Sequence, residues 1–303
     1  MWFSKGYKST PKLKLVQRLQ PWWTTRRLSV IGFLFTLLAL VYFIIWVFGP
    51  MIYGAWISLT NENWFAPPQF VGLTNFFTLA ISLQFWHTVG RTGVYIAETV
   101  VPSLAIAFLI AWGIHLVSHG RLFFLTVFFI PFVIPTVASA IMFEMLLQPS
   151  GLVDQVLHIH ISWLTNPAFA MVGLSIVTVW NLVGFYVVIF LASLQQINRE
   201  VIEAAQVDGV TAWRLVWQIV LPLLRPTLLF ALVTCTATVL TNFTQAYVLT
   251  NGGPGNSTLV LPLLIYRQAF TFSAAGNASA MALVLLIASI GLTYLQFKVV
   301  GNN

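Results

Sequence analysis

The sequence predicts an all-α polytopic membrane protein, and three observations predict it. Of its 303 residues 59% are hydrophobic and only 7% charged, whereas soluble domains carry about 25% charged residues, so this chain cannot cover a water-facing surface. Six apolar segments, near 28–57, 89–117, 122–147, 168–194, 226–249 and 276–299, each match the roughly 20 residues needed to cross a bilayer. Backbone groups in lipid must be paired within their own segment, which makes the six spans helices. The expected layout is a basic tail over 1–27 and a six-span domain over 28–299, with an inward-facing segment over 195–225 inside it.

The tail holds Lys5, Lys8, Lys12, Lys14, Arg18, Arg26 and Arg27, half of the 14 basic residues. This asymmetry reads as a membrane-orientation signal and not as a nucleic-acid footprint. The apolar run that follows is too long for a signal-peptide core and has no small-residue cleavage pattern after it, so it is expected to remain as the first span. Arg121, Arg199, Arg214, Arg225 and Lys298 fall on the tail's side of the membrane; the opposite connections hold only Arg267, with Arg91 just inside the second span. Both termini are therefore expected in the cytoplasm, and the loops near 58–88, 148–167 and 250–275 outside. The single cysteine, Cys235, excludes an intrachain disulfide and a cysteine zinc site.

The first outward loop carries Trp64 among turn residues, which suits an interfacial anchor. In the third, Asn251, Gly252, Gly253, Pro254 and Gly255 form a dense turn signal. It serves either as a tight reversal between spans or as a place where backbone approaches a ligand or partner closely. No third ligand accompanies His115 and His119, or His158 and His160, so no metal site is expected.

Polar residues inside spans are costly and suggest a pathway-facing role. Asn181 beside Trp180 in the fourth span, and Asn242, Gln245 and Tyr247 in the fifth, offer amide, hydroxyl and aromatic partners for a polar solute. Hydrogen bonding between helices is the alternative role, especially for Thr234, Thr236, Thr238 and Thr241. The intramembrane acids Glu98 and Glu144 invite a functional role, but a paired or snorkelled structural role is expected, since Arg91 lies two turns before Glu98 and Glu144 is near the outer interface. No clear internal repeat supports a secondary carrier.

The inward segment is long enough to hold structure. Asn198 suits an N-cap with Glu200 in the first turn, Glu203, Ala204 and Ala205 favour helix, and Gly209 offers a stop. Thr211 can then cap a second helix that Pro222 ends. Such a helix–glycine–helix unit is either an interfacial connector or a docking element.

Glu203-Ala204-Ala205, then Gly209, then Ile219-Val220-Leu221-Pro222 resembles the EAA signature of permease subunits from binding-protein-dependent ATP-binding-cassette importers, matched at every signature position. The stretches FVGLTNF (70–76), AAQVDGVTAW (204–213), LPLLRPT (221–227), VLTNGGP (248–254) and YRQAF (266–270) resemble the carbohydrate branch of that family, which includes maltose, glycerol-phosphate and amino-sugar permeases. The resemblance covers the chain from about residue 30 and leaves the tail aside.

It implies a type I importer permease fold of six spans in a bacterial or archaeal cytoplasmic membrane, surrounded by lipid. Glu203, Ala204, Ala205, Asp208, Gly209, Ile219 and Pro222 would form the coupling segment, with Ala205 against the ATPase. The implied partners are a second similar permease, two ATPase subunits that hold ATP and Mg, and an extracytoplasmic solute-binding protein. The implied substrate is a sugar, oligosaccharide, polyol or glycoside; a non-sugar solute such as a glycerol-phosphate derivative is the alternative. The sequence contains no phosphate-loop motif, so no cofactor is expected in this chain. A polytopic membrane enzyme would need converging catalytic residues, and the seven acids are scattered or held in the inward segment.

Overall fold

The computed structural model describes residues 22–65 and 67–301, with side chains from Val30 onward apart from Gln206. Of the basic tail expected over 1–27, positions 1–21 lie outside the described residues. The described residues are built from helices, and their one extended pairing is an isolated antiparallel bridge between Thr60 and Phe70. The chain divides after Trp56 into two units.

In the first unit, α1 (Trp22–Phe43) passes through a π-helical turn (Ile44–Phe48) into α2 (Gly49–Ile57). Every side chain from 30 to 53 is exposed within the chain, and nearly all are apolar. A helix that is apolar all round is solvated by hydrocarbon and not by water. Thr36 donates its hydroxyl to the Gly32 carbonyl at 2.9 Å, which hides that polar group from lipid.

The second unit opens with α3 (Thr74–Ile81) and α4 (Leu83–Leu116). The second span thus starts six residues before the expected position, because Ser82 caps it by accepting from the Phe85 N–H at 3.3 Å. At 34 residues α4 is about 50 Å long. The third span is not one straight helix. It is split into α5 (Arg121–Val133) and α6 (Thr136–Leu146), which meet at 94°. Pro135 lacks an N–H and forces Ile134 into extended backbone (φ −68°, ψ 129°).

After the short α7 (Leu152–Leu157) comes α8 (Ala170–Leu194), the central helix, which buries Leu174, Val177, Tyr186, Val187 and Phe190. Helix α4 packs along α8, and α5 packs on α8 as well. At Gly184 the approach is so close that a Cβ would run into the Phe128 carbonyl. Small residues allow such contact between membrane helices.

The connection after α8 forms α9 (Arg199–Val207) and α10 (Ala212–Arg214), then a π turn (Leu215–Val220) and α11 (Leu221–Leu223). Pro222 does not end the second helix. The widened π turn lies immediately before it, as another does before Pro50, and carries the helix past the missing N–H. The break comes at Leu224, where the helix bends by 72° into α12 (Arg225–Thr241). Thr211 has N-cap backbone geometry, but its hydroxyl makes no capping bond.

The fifth span is also interrupted. Asn242 leaves the helix (φ −89°, ψ 118°) and α13 (Thr244–Thr250) follows. The connection after α13 contains α14 (Leu261–Tyr266) and a π turn (Arg267–Thr271), and α15 (Ala275–Gly301) follows. Helix α12 packs on α4 and α15, and α13 on α6 and α8.

Candidate functional site

The connection between α8 and α12 is held by its own hydrogen bonds. Asn198 accepts from the Glu200 N–H at 3.1 Å, and its amide reaches the Glu200 carboxylate at 3.1 Å. At the other end of α9 the Val210 N–H reaches back to the Ala205 carbonyl at 3.0 Å, and the Asp208 N–H to Ala204 at 3.0 Å. This is the Schellman stop, and it needs the left-handed residue that Gly209 supplies (φ +74°). Glu203, Ala204, Val207 and Asp208 are exposed, whereas Ala205 is only 6% exposed and packs into the core. The open small-residue surface therefore belongs to Ala204 rather than Ala205. Ile219 is half-buried, and Pro222 is exposed.

The polar groups inside the spans form a linked layer. Tyr95 on α4 and Thr178 on α8 share a hydrogen bond of 2.8 Å between their hydroxyls, and Thr178 lies 2.6 Å from Gln245 Oε1 on α13. All three residues are buried. On the same face of α4, one turn before Tyr95, the Thr92 hydroxyl accepts from the Leu261 N–H at 2.8 Å and so caps α14. Thr178 thus links α4, α8 and α13, and Gln245 Nε2 is buried without a partner among the described residues. Sequence reasoning missed Tyr95 and Thr178; a hydroxyl at each of two apolar spans was the available signal.

Asn181 donates from Nδ2 to the Pro131 carbonyl at 2.8 Å. In an unbroken helix that carbonyl would accept from residue 135, which is proline. Asn181 therefore replaces the missing donor and braces the 94° break. Asn242 is half-buried at the second break, where its Oδ1 accepts from the Thr244 N–H at 3.0 Å. Tyr247 is 43% exposed and belongs to a chain of rings. It lies 5.5 Å from Tyr266, which stacks on Phe243 at 5.0 Å and meets Phe270 at 5.2 Å.

Glu98 turns to Ser175 on α8, 3.2 Å away, rather than to Arg91. Both residues line a cavity of about 780 Å³ between α4, α5 and α8 that is otherwise mostly apolar. The α12 threonines satisfy themselves: Thr234, Thr236, Thr238 and Thr241 donate to carbonyls four residues back at 2.7–2.9 Å. In the loop after α13 Gly252 has φ +74°. Arg267 donates to the Asn251 carbonyl and, at 3.2 Å, to Asn251 Oδ1.

Long apolar helices, two broken spans and a capped connection between α8 and α12 describe a multi-pass membrane protein. Residues 103–301 match the family described as binding-protein-dependent transport system inner membrane component, and the chain belongs to that family. A relative from Bacillus subtilis (strain 168), "Probable ABC transporter permease protein YurN", is 31% identical over 280 residues, covering 89% of this chain and 96% of the relative. The "Multiple sugar-binding transport system permease protein MsmF" of Streptococcus mutans is 30% identical, covering 88% of this chain and 94% of the relative. Among solved structures, a chain of a bacterial alginate ABC transporter, crystallised with a periplasmic protein bound to an alginate pentasaccharide, superposes with a TM-score of 0.79. It is 23% identical, and the match covers 92% of this chain and 96% of that one. The protein is therefore an ABC transporter permease subunit of the inner membrane and not an enzyme.

Proposed function

We propose that this chain is one permease subunit of an ATP-driven carbohydrate importer, coupled to separate ATPase subunits through α9 and the Gly209 turn. It pairs with a second similar permease, two ATPase subunits that bind ATP and Mg, and an extracytoplasmic solute-binding protein; both of its termini are cytoplasmic. The solute is a sugar, oligosaccharide, polyol or glycoside. The carbohydrate reading is supported by the sugar-binding system in which the Streptococcus relative is named.

The observation that carries the coupling is the exposed Glu203, Ala204 and Asp208 surface, held on a Gly209 stop at the start of the segment that leads into α12. That segment bends by 72° at Leu224 into α12, and α12 ends at Asn242, three residues before Gln245 of the polar layer. A push on α9 would thus reach α12 through α10, the π turn and α11. Closure of the ATPase pair on ATP would move α9, α12 would tilt, and the break at Asn242 would absorb the change in angle. Solute would then leave on the inner side by alternating access.

The test is uptake of labelled sugars by the complete importer in proteoliposomes. Gly209→Pro and Glu203→Lys abolish uptake while the chain remains in the membrane complex. Normal uptake in both variants sinks the coupling assignment. Wild-type uptake of glycerol phosphate but of no sugar would remove the carbohydrate part alone.

A further inference from the structure

A second pocket, of about 470 Å³, lies where the ends of α6 and α13 meet the loop from Asn251 to Pro254. Its size falls within the range of small-molecule sites. One wall is fixed by its own hydrogen bonds. The Thr250 hydroxyl lies 3.0 Å from the Ala246 carbonyl and 2.6 Å from the Thr258 hydroxyl, and Thr258 reaches the Gly253 carbonyl at 2.7 Å. Asn251 is held by Arg267. The opposite wall differs: Glu144, Gln148 and Thr165 line the pocket, are exposed, and have no side-chain hydrogen bond to other described residues.

We propose that this pocket is an outer saccharide subsite that accepts a neutral sugar ring and turns away an anionic one. The proposal rests on the carbohydrate reading above and adds a place and a charge preference to it. A carboxylate accepts from two neighbouring hydroxyls at once, a carboxamide both donates and accepts, and a hydroxyl does the same. Glu144, Gln148 and Thr165 therefore supply complementary partners for a ring of hydroxyls, and Leu249 and Pro254 offer apolar surface to its C–H face. Arg267, bonded to Asn251, is not among the residues that line the pocket, and Glu144 is the one charged residue among them. A sugar carboxylate about 5 Å from it would be disfavoured roughly five- to fifteen-fold after partial screening. From this pocket α13 leads directly to Gln245 and the break at Asn242.

The proposal is tested by saturation-transfer NMR on the detergent-purified importer without its binding protein, with trehalose as the neutral probe and glucuronate as the anionic one. Wild type transfers saturation to trehalose and little to glucuronate. Glu144→Gln raises the glucuronate signal roughly five- to fifteen-fold, the charge effect estimated above. Glu144→Ala combined with Gln148→Ala reduces the trehalose signal several-fold. Elution as the intact complex checks assembly, and Thr165→Val, a single exposed substitution, repeats the trehalose test if the double variant fails to assemble. Trehalose signals equal to wild type, or glucuronate signals unchanged in Glu144→Gln, overturn the proposal. So does weakened capture of the binding protein with unchanged saturation transfer, which makes the pocket a protein-docking surface. Failure of the parent reading looks different: the wild-type importer then moves no saccharide and gives no signal with either probe.

Discussion

Replacement of Thr178 by Val removes one hydroxyl at nearly constant volume from the junction of three helices. Thr178 Oγ1 lies 2.8 Å from the Tyr95 hydroxyl, 2.6 Å from Gln245 Oε1 and 3.0 Å from the Leu174 carbonyl. Its single proton can serve only one of the two carbonyl-type acceptors at a time, and it accepts from Tyr95 in return. Without it the Tyr95 hydroxyl and the Gln245 carbonyl oxygen lose this partner, and both residues are only 2% exposed. Each stranded buried group costs about 1–3 kcal/mol, although polar contacts between membrane helices average about 0.6 kcal/mol in mutant cycles. The expected destabilisation is therefore about 1–4 kcal/mol. It should be read by reversible unfolding in mixed detergent micelles. Tyr95→Phe should cost less, because it deletes a donor without leaving a carbonyl bare. The double variant should cost less than the sum of the two single ones. Additive effects, or a Thr178→Val variant within about 0.5 kcal/mol of wild type, would refute the view that these hydroxyls act as one unit.

Two further outcomes follow from the same coordinates. Asn181→Leu leaves the Pro131 carbonyl without its substitute donor at the 94° break, so the complex should lose about 1–3 kcal/mol of stability, seen as a thermal midpoint lowered by several degrees. Gly184→Ala drives a Cβ into the Phe128 carbonyl. Helices α5 and α8 must then separate, at about 1–3 kcal/mol, and poorer recovery of folded chain from the membrane is the measurement.

Part of the candidate site was legible as a linear pattern. Gly209 terminates α9 because a Schellman stop needs a left-handed residue, and the order of Asn198, Glu200 and Gly209 is enough to specify it. Which alanine faces outward was not legible. Ala204 and Ala205 are adjacent and chemically identical, and the choice depends on the side of α9 that meets the core. Likewise Glu98 had a plausible partner in Arg91 by spacing, yet its observed contact is Ser175, 77 positions away along the chain.

The sequence by itself determined that the chain crosses a membrane, because apolar length and scarcity of charge are summed along the chain and need no partner. It also determined the helix–glycine–helix projection, whose caps are local. Only the tertiary structure decided that the third and fifth spans are broken and what supports them. A proline marks where a helix weakens, but whether the freed carbonyl is answered depends on which residue the neighbouring helix presents; at Pro131 that residue is Asn181. Gln245 is held by Thr178 for the same reason. Hydrocarbon offers no hydrogen bond, so each polar side chain takes its partner from its own helix or from whichever helix packs beside it, and that choice is made in three dimensions.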